Sequence, residues 1–212
     1  MLEVLYVDNH ILLVNKPAGL ATQPSPTSDE SLESLCKEWV KEQYKKPGNV
    51  FLHAIHRLDK PVSGIVLFAR TSKALSRLNE SMREHEMQKV YIALVEGHLK
   101  DSEGRLEHYL VHGDHIAHLG TEKTAGAKRA SLKYIVKERK GDCSLLEITL
   151  ETGRYHQIRA QMAAIGHPVV GDTKYGSFKV YPNQGIALCH ARFSFPHPIS
   201  KEQHSYALAN TF

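Results

Sequence analysis

Two short segments of this chain crowd charged and hydrogen-bonding side chains together. In the first, HRLDKPVSG (56–64), His56, Arg57, Asp59 and Lys60 precede a proline bend, and the apolar run GIVLFA follows. A carboxylate at the lip of a buried strand can be held still beside the core, as covalent catalysis requires. Taken alone, the segment reads more readily as a solvated loop with an Arg–Asp pair, because exposed ion pairs usually do little. The second segment, LETGRYHQIRAQMAAIGHPVVGDTKYG (150–176), gathers Arg154, His156, Gln157, Arg159, His167, Asp172, Lys174 and Tyr175 around four glycines. Arg154 falls near the start of an expected helix, where backbone N–H groups already favour anions. Polar residues and glycines this dense are expensive for a merely structural stretch, so this segment is read as functional.

Two further clusters have plainer readings. His108, His112, His115 and His118 in HYLVHGDHIAH match no zinc-ligand spacing, and a hairpin around Gly113-Asp114 would splay them to different faces. The basic group Lys123, Lys128, Arg129 and Lys133 suits phosphate contacts and exposed strand ends equally well. Cys36, Cys143 and Cys189 are scattered, with no CxxC pair, which argues against a disulfide framework or thiolate metal site.

The elements that must position these residues alternate irregularly. Strands are expected at 3–8 and 10–16, joined through Asp8-Asn9, followed by an ordered loop over 16–29. Helical spacing over 31–44 puts Leu32, Leu35, Cys36, Trp39 and Val40 on one side, with Pro47-Gly48 as the stop. A buried strand at 63–71 precedes an amphipathic helix over 72–87 with Leu75, Leu78 and Met82 aligned. The strand over 89–97 places Lys89, Tyr91 and Ala93 on one face. The pattern from 105 to 151 is mostly extended. A helix over 155–166 aligns Ile158, Met162 and Ile165 and ends at Gly166, and a last strand covers 187–195 before PHP. This order favours an α+β fold on a mixed, largely antiparallel sheet with flanking helices. One domain over 1–212 is expected, with any seam between halves near 98–104.

With 212 residues, 42% hydrophobic, 24% charged and a formal net charge of +4, the chain is an ordinary globular composition that permits a nucleic-acid partner without demanding one. Its longest apolar runs are too short to cross a bilayer, and MLEVLYVDNH lacks the features of a signal peptide. The expectation is a cytoplasmic protein, not associated with a membrane.

HRLDKPVSGIVLFA, KVYIALVEG and ETGRYHQIRAQMAAIGHPVVGDTKYG, with VDNHILLVNKPAGL before them and IALCHARFSFPHP after, resemble in order the motifs of the RluA-type RNA pseudouridine synthases. The resemblance runs from about Val7 to Pro198. It implies the pseudouridine synthase fold with a central catalytic cleft, and a cofactor-free, metal-free isomerase that turns uridine in ribosomal or transfer RNA into its C-glycoside isomer. Asp59 would be the nucleophile, attacking either the sugar C1′ or the uracil C6, before the base is detached, rotated and rejoined through C5. Arg154 would be its ion-pair partner, offsetting the cost of burying the carboxylate. Tyr91 would stack on the target base and assist proton removal at C5. Arg57 would fill the space left by the extruded uridine. His56, Lys89, His156, Gln157 and Arg159 are further candidates for RNA contact. The chain departs from the family pattern at Val62, where threonine is usual, and at Gln161 and Cys189, where histidine is frequent. No separate small RNA-binding module is expected before the matched region; the catalytic domain itself is expected to read the RNA, as a monomer.

Two other classes fit some of these residues. An RNA-binding protein that has lost catalysis would keep the fold, although intact Asp59, Tyr91 and Arg154 count against it. A carboxylate hydrolase using Asp59 and Asp172 would turn over small sugars and tolerate Tyr91→Phe.

Overall fold

The computed structural model describes residues 2–25, 29–182, 184–209 and 211. Part of the loop expected over 16–29 lies outside them. The fold is α+β: eleven strands and three α-helices among the described residues. The described residues divide into two compact units, those within 2–88 and 190–211, and those within 89–189. Residues 98–104, where a seam was expected, lie within the second unit.

In the first unit, β1 (Glu3–Val7) and β2 (Ile11–Lys16) form an antiparallel hairpin. Asp8 sets its turn: one carboxylate oxygen accepts the N–H groups of His10 and Ile11 at 2.7 and 2.8 Å. A side-chain acceptor replacing backbone partners is why aspartate suits this position. β2 pairs antiparallel with β4 (Ser63–Ala69), which also pairs with the short β3 (His53–Ala54). The order continues from β4 to β10 (Leu188–Pro196), on which β11 (Gln203–Ala207) lies antiparallel. Alternate residues Ile11, Leu13, Ile65, Leu67, Phe193 and Phe195 are fully buried on one face, the period of two that a pleated strand imposes. Ala74 and Leu78 of α2 (Ser72–Arg83) pack into the same core.

Both helices of this unit have side-chain caps. Ser31 and Ser34 bond reciprocally at the start of α1 (Leu32–Gln43), which satisfies two otherwise unpaired N–H groups. The hydroxyl of Thr71, rather than Ser72, caps α2 by accepting the N–H of Ala74 at 3.1 Å. The expected apolar face of α1 is corrected at one position. Leu35 is 38% exposed, whereas Glu33 is buried, held by Lys37 at 2.7 Å and by Gln23 at 3.1 Å. α2 ends at Arg83, four residues earlier than its spacing suggested, as His85 turns left-handed.

The second unit is a five-stranded antiparallel sheet in the order β5 (Gln88–Glu96), β9 (Cys143–Leu150), β8 (Lys128–Lys140), β6 (Glu103–His112) and β7 (Ala117–Gly120). α3 (Gln157–Ala164) packs on the β6–β7 end, with Ala160 among Leu110, Ala117 and Ala130. α3 begins two residues later than expected because His156, its N-cap, is left-handed at φ 52°. The histidine-rich stretch is a hairpin closed by the Gly113 N–H on the Ile116 carbonyl at 2.8 Å. Its strand register sends His108 and His112 to the α3 side and His118, opposite Val111, to the other.

Candidate active site

The turn that carries Asp59 is clamped on both sides by the loop that follows β2. The Thr22 hydroxyl donates to the Leu58 carbonyl at 2.8 Å and accepts the Leu58 N–H at 3.0 Å. On the far side, the Lys60 carbonyl accepts the Gly19 N–H at 2.8 Å and the Lys16 ammonium at 3.2 Å. The turn closes on itself through the Val62 N–H and the Asp59 carbonyl at 3.0 Å. Asp59 is thus half-buried between two pinned neighbours. Val62 supplies this closing bond from its backbone and buries its side chain at 3% exposure, so the turn does not depend on a hydroxyl there.

Lys16 is the residue that sequence reasoning missed. It has no solvent exposure, and its ammonium donates to the carbonyls of Pro17 (2.9 Å) and Leu20 (2.7 Å) as well as that of Lys60. Burial pushes its pKa down to about 8, and the Asp59 charge opposes that fall. Desolvation disfavours an ammonium and a nearby carboxylate favours it, so Lys16 is a buried cation in electrostatic contact with the candidate nucleophile. The NKP of HILLVNKP was the only signal available in sequence, and it read as the end of a strand.

Of the other first-unit candidates, Arg57 is exposed. His56 is half-buried, and its ring packs against those of His190 and Phe193 with centroids 5.3 and 5.0 Å apart. Its Nε2 accepts the Leu67 N–H at 3.4 Å. These contacts give the His56 ring a packing role in the first unit.

In the second unit, Lys89, Tyr91 and Ala93 share one face of β5, opposite Leu150, Ile148 and Leu146 of β9. Tyr91 is 7% exposed, and burial pushes the Lys89 ammonium down to about 8. Arg154 is exposed on the turn from β9 to α3, with its Nε donating to the Arg129 carbonyl at 2.9 Å. Gln157 builds that turn: its Oε1 accepts the Thr152 hydroxyl (2.7 Å) and the Arg154 N–H (2.9 Å), while its Nε2 donates to the Ser131 carbonyl at 3.0 Å.

His156, Gln157 and Arg159, expected to meet RNA, are instead buried at 7%, 3% and 4% exposure. Arg159 forms a two-pronged ion pair with Asp172 at 2.7 and 2.8 Å, and its Nη1 donates to His156 Nε2 at 2.8 Å. A guanidinium only donates, so Nε2 carries no proton. The Tyr175 hydroxyl donates to the Ala117 carbonyl (3.2 Å) and accepts the Ala117 N–H (2.8 Å) and, at 2.9 Å, His156 Nδ1–H. The imidazole is a neutral Nδ1–H tautomer. Burial, then the Arg159 and Lys174 charges, push its pKa down to about 3. These polar atoms are already used inside the fold, where Gln157 holds the turn that presents Arg154.

Asp59 and Arg57 belong to the first unit, and Lys89, Tyr91 and Arg154 to the second. Within their own units, Asp59 and Arg154 each sit on a turn fixed by side-chain hydrogen bonds, and Lys89 and Tyr91 sit on β5 paired with β9.

A family model described as RNA pseudouridylate synthase matches residues 10–164, which include Asp59, Tyr91 and Arg154. The chain is 31% identical to an uncharacterized RNA pseudouridine synthase of Bacillus subtilis, over 95% of this chain and 66% of that protein. It is 36% identical to ribosomal large subunit pseudouridine synthase C of Escherichia coli over 82% of this chain and 53% of that one. It is 32% identical to tRNA pseudouridine synthase C of Pasteurella multocida over 95% and 88% respectively. The solved structure of human RNA pseudouridylate synthase domain containing 1 superposes with a TM-score of 0.80 at 25% identity, covering 100% of this chain and 84% of that one. The chain belongs to the RNA pseudouridylate synthase family, as its spaced motifs implied. It spans about half to two thirds of the length of the first curated relatives it matches.

Proposed function

We propose that this protein isomerises uridine in RNA to pseudouridine, with Asp59 as the nucleophile. The observation that carries the reading is the clamped turn: Thr22 fixes Leu58, Lys16 and Gly19 fix Lys60, and the carboxylate between them sits in the field of a buried cation. Covalent catalysis by a carboxylate asks for an ionised, immobilised group.

The reaction is balanced without a cofactor. The C1′–N1 bond breaks, C1′ bonds to C5, C5 gives up its proton, and N1 ends protonated. Asp59 forms and later releases the covalent bond, at C1′ or at C6. Tyr91 contributes a face for the base and a hydroxyl for the C5 proton. Arg154 supplies the positive partner of the nucleophile. Arg57 is exposed, as a side chain that enters the space of an extruded uridine must be, and Lys89 adds a cation near the base. The substrate is ribosomal or transfer RNA, in keeping with relatives named for each. Under this reading the enzyme is a cytoplasmic monomer. Among the described residues no helix is long and apolar enough to cross a membrane.

Tritium release from RNA carrying C5-tritiated uridine tests the reading. The protein should release tritium from total RNA, and Asp59→Asn should reduce release to background while still binding RNA. No release by folded wild-type protein on RNA from a strain lacking it would sink the proposal. Mapping pseudouridines in that strain identifies the modified position.

A further inference from the structure

Tyr155 lies between Arg154 and His156, and none of the catalytic roles above requires it. Its ring stacks on the His156 imidazole, with centroids 3.9 Å apart and planes 17° apart. His112 of β6 meets it at 4.3 Å and 70°. The inner end of this ladder is locked: His156 is held between Arg159 and Tyr175, and the Arg159 guanidinium lies 5.1 Å over the Tyr175 ring. The outer end faces solvent, with Tyr155 38% exposed and His112 exposed. A ring fixed on a rigid support has little freedom left to lose when a partner covers it.

The surroundings point to one kind of partner. Lys128 is exposed at the start of β8, opposite Leu110 and so on the His112 face, whereas Arg129 turns to the other face and pairs with Glu107. Lys174 reaches the His115 carbonyl at 2.9 Å. The Arg159, Lys174 and His112 charges add to burial in disfavouring protonation of the His156 ring, while Asp172, paired with Arg159, acts the other way. Aromatic surface set among cations suits a planar base on an anionic backbone, because stacking tolerates any base and cations follow the phosphates.

We infer that Tyr155 and His112 form a stacking platform for one unpaired nucleobase of the bound RNA, with the adjoining phosphate drawn to Lys128, which shares the His112 face of the sheet. This rests on the RNA-modifying reading and adds a subsite to it. The base concerned is a neighbour of the target uridine, which the catalytic residues engage.

Fluorescence anisotropy with a labelled single-stranded oligouridylate of about ten nucleotides, and with an abasic ribose-phosphate oligomer of equal length, tests the inference without turnover. Tyr155→Ala should bind oligouridylate roughly 5- to 100-fold more weakly, with little change on the abasic oligomer, and Tyr155→Phe should bind like wild type. Equal affinity of Tyr155→Ala and wild type, or an equal loss on both oligomers, overturns the platform. Tyr155→Trp guards against misfolding of the alanine variant. Saturating oligouridylate should quench its emission beyond any change at Trp39 in wild type, and no added quenching overturns the inference. Wild-type protein that binds neither oligomer would overturn this inference and the RNA partner together. Wild-type binding unaffected at Tyr155 would overturn this inference alone.

Discussion

The Lys16 ammonium donates to the carbonyl of Lys60, the residue that follows Asp59, at 3.2 Å and with no solvent exposure. A buried cation thus holds the backbone of the nucleophile's turn and feels the nucleophile's charge. Replacing it by methionine takes the ammonium donor from the Pro17 and Leu20 carbonyls and leaves the Lys60 carbonyl only the Gly19 N–H. The expected cost is about 3 kcal/mol of folding stability, read by denaturant unfolding, together with a large loss of tritium release.

The pH dependence of Lys16 separates its two roles. Its folded pKa of about 8 lies below its ordinary 10.5. Between these values the unfolded chain binds more protons, so this group's contribution makes stability rise with pH. Activity should move the other way, falling as pH rises through about 8 and the cation beside Asp59 is lost. Lys89 titrates in the same range, so pH–activity profiles of Lys16→Met and Lys89→Met are compared. An alkaline limb that survives unchanged in folded Lys16→Met would remove the electrostatic role of Lys16.

Arg159 and Asp172 are buried to side-chain exposures of 5% and 1%. Breaking such a pair strands the remaining charge, so Arg159→Met should destabilise the protein by about 3–5 kcal/mol. Arg159→Met combined with Asp172→Leu should cost less than the sum of the single changes. Equilibrium unfolding decides the matter: a contact with RNA alone would lower affinity and leave the unfolding midpoint where it was.

What was legible in the sequence follows from what periodicity reports. The Asp8 turn, the cores of α1 and α2, and the strands carrying Tyr91 and Ser63–Ala69 are local patterns, and they stand where the pattern put them. The family motifs drew attention to Asp59 and Arg154. The state of polar side chains was not legible, because a polar residue counts as exposed until its partners are known. Lys16 was passed over for that reason. His156, Gln157 and Arg159 bond Tyr175, Ser131 and Asp172, 13 to 26 residues away, and spacing does not show that these polar groups meet one another rather than a ligand. β11 was missed because QHSYA is short and alternates polar with aromatic residues; its His204 and Tyr206 join Tyr6 and Phe195 in a ring cluster.

His156 should make the protein acid-sensitive in a defined window. Its folded pKa of about 3 lies below its ordinary 6.5, so the unfolded state binds the extra proton between those values. The contribution is complete above pH 6.5 and is lost as pH falls toward 3. In His156→Asn this proton uptake is absent. The gap in unfolding free energy between wild type and variant should narrow by about 1–2 kcal/mol from pH 6.5 to pH 5. A gap constant over that range would mean that the imidazole is not held neutral.

Gly64 closes the HRLDKPVSG motif and is the tightest point between β4 and β10. Its φ is +120°, and a Cβ placed there would lie 2.5 Å from both the backbone nitrogen and the carbonyl oxygen of His190. Neither atom belongs to a flexible side chain, so the strands themselves would have to part. Gly126 offers the control: its φ is +75°, and an added Cβ meets nothing within 4 Å. Gly126→Ala should cost about 1–2 kcal/mol, the ordinary penalty for a left-handed residue. Gly64→Ala adds a backbone clash in a conformation essentially reserved for glycine, and should cost several-fold more or prevent folding. Soluble yield and thermal unfolding midpoints of the two variants measure the difference. Equal midpoints would show that β4 and β10 do not approach as closely as the structure places them.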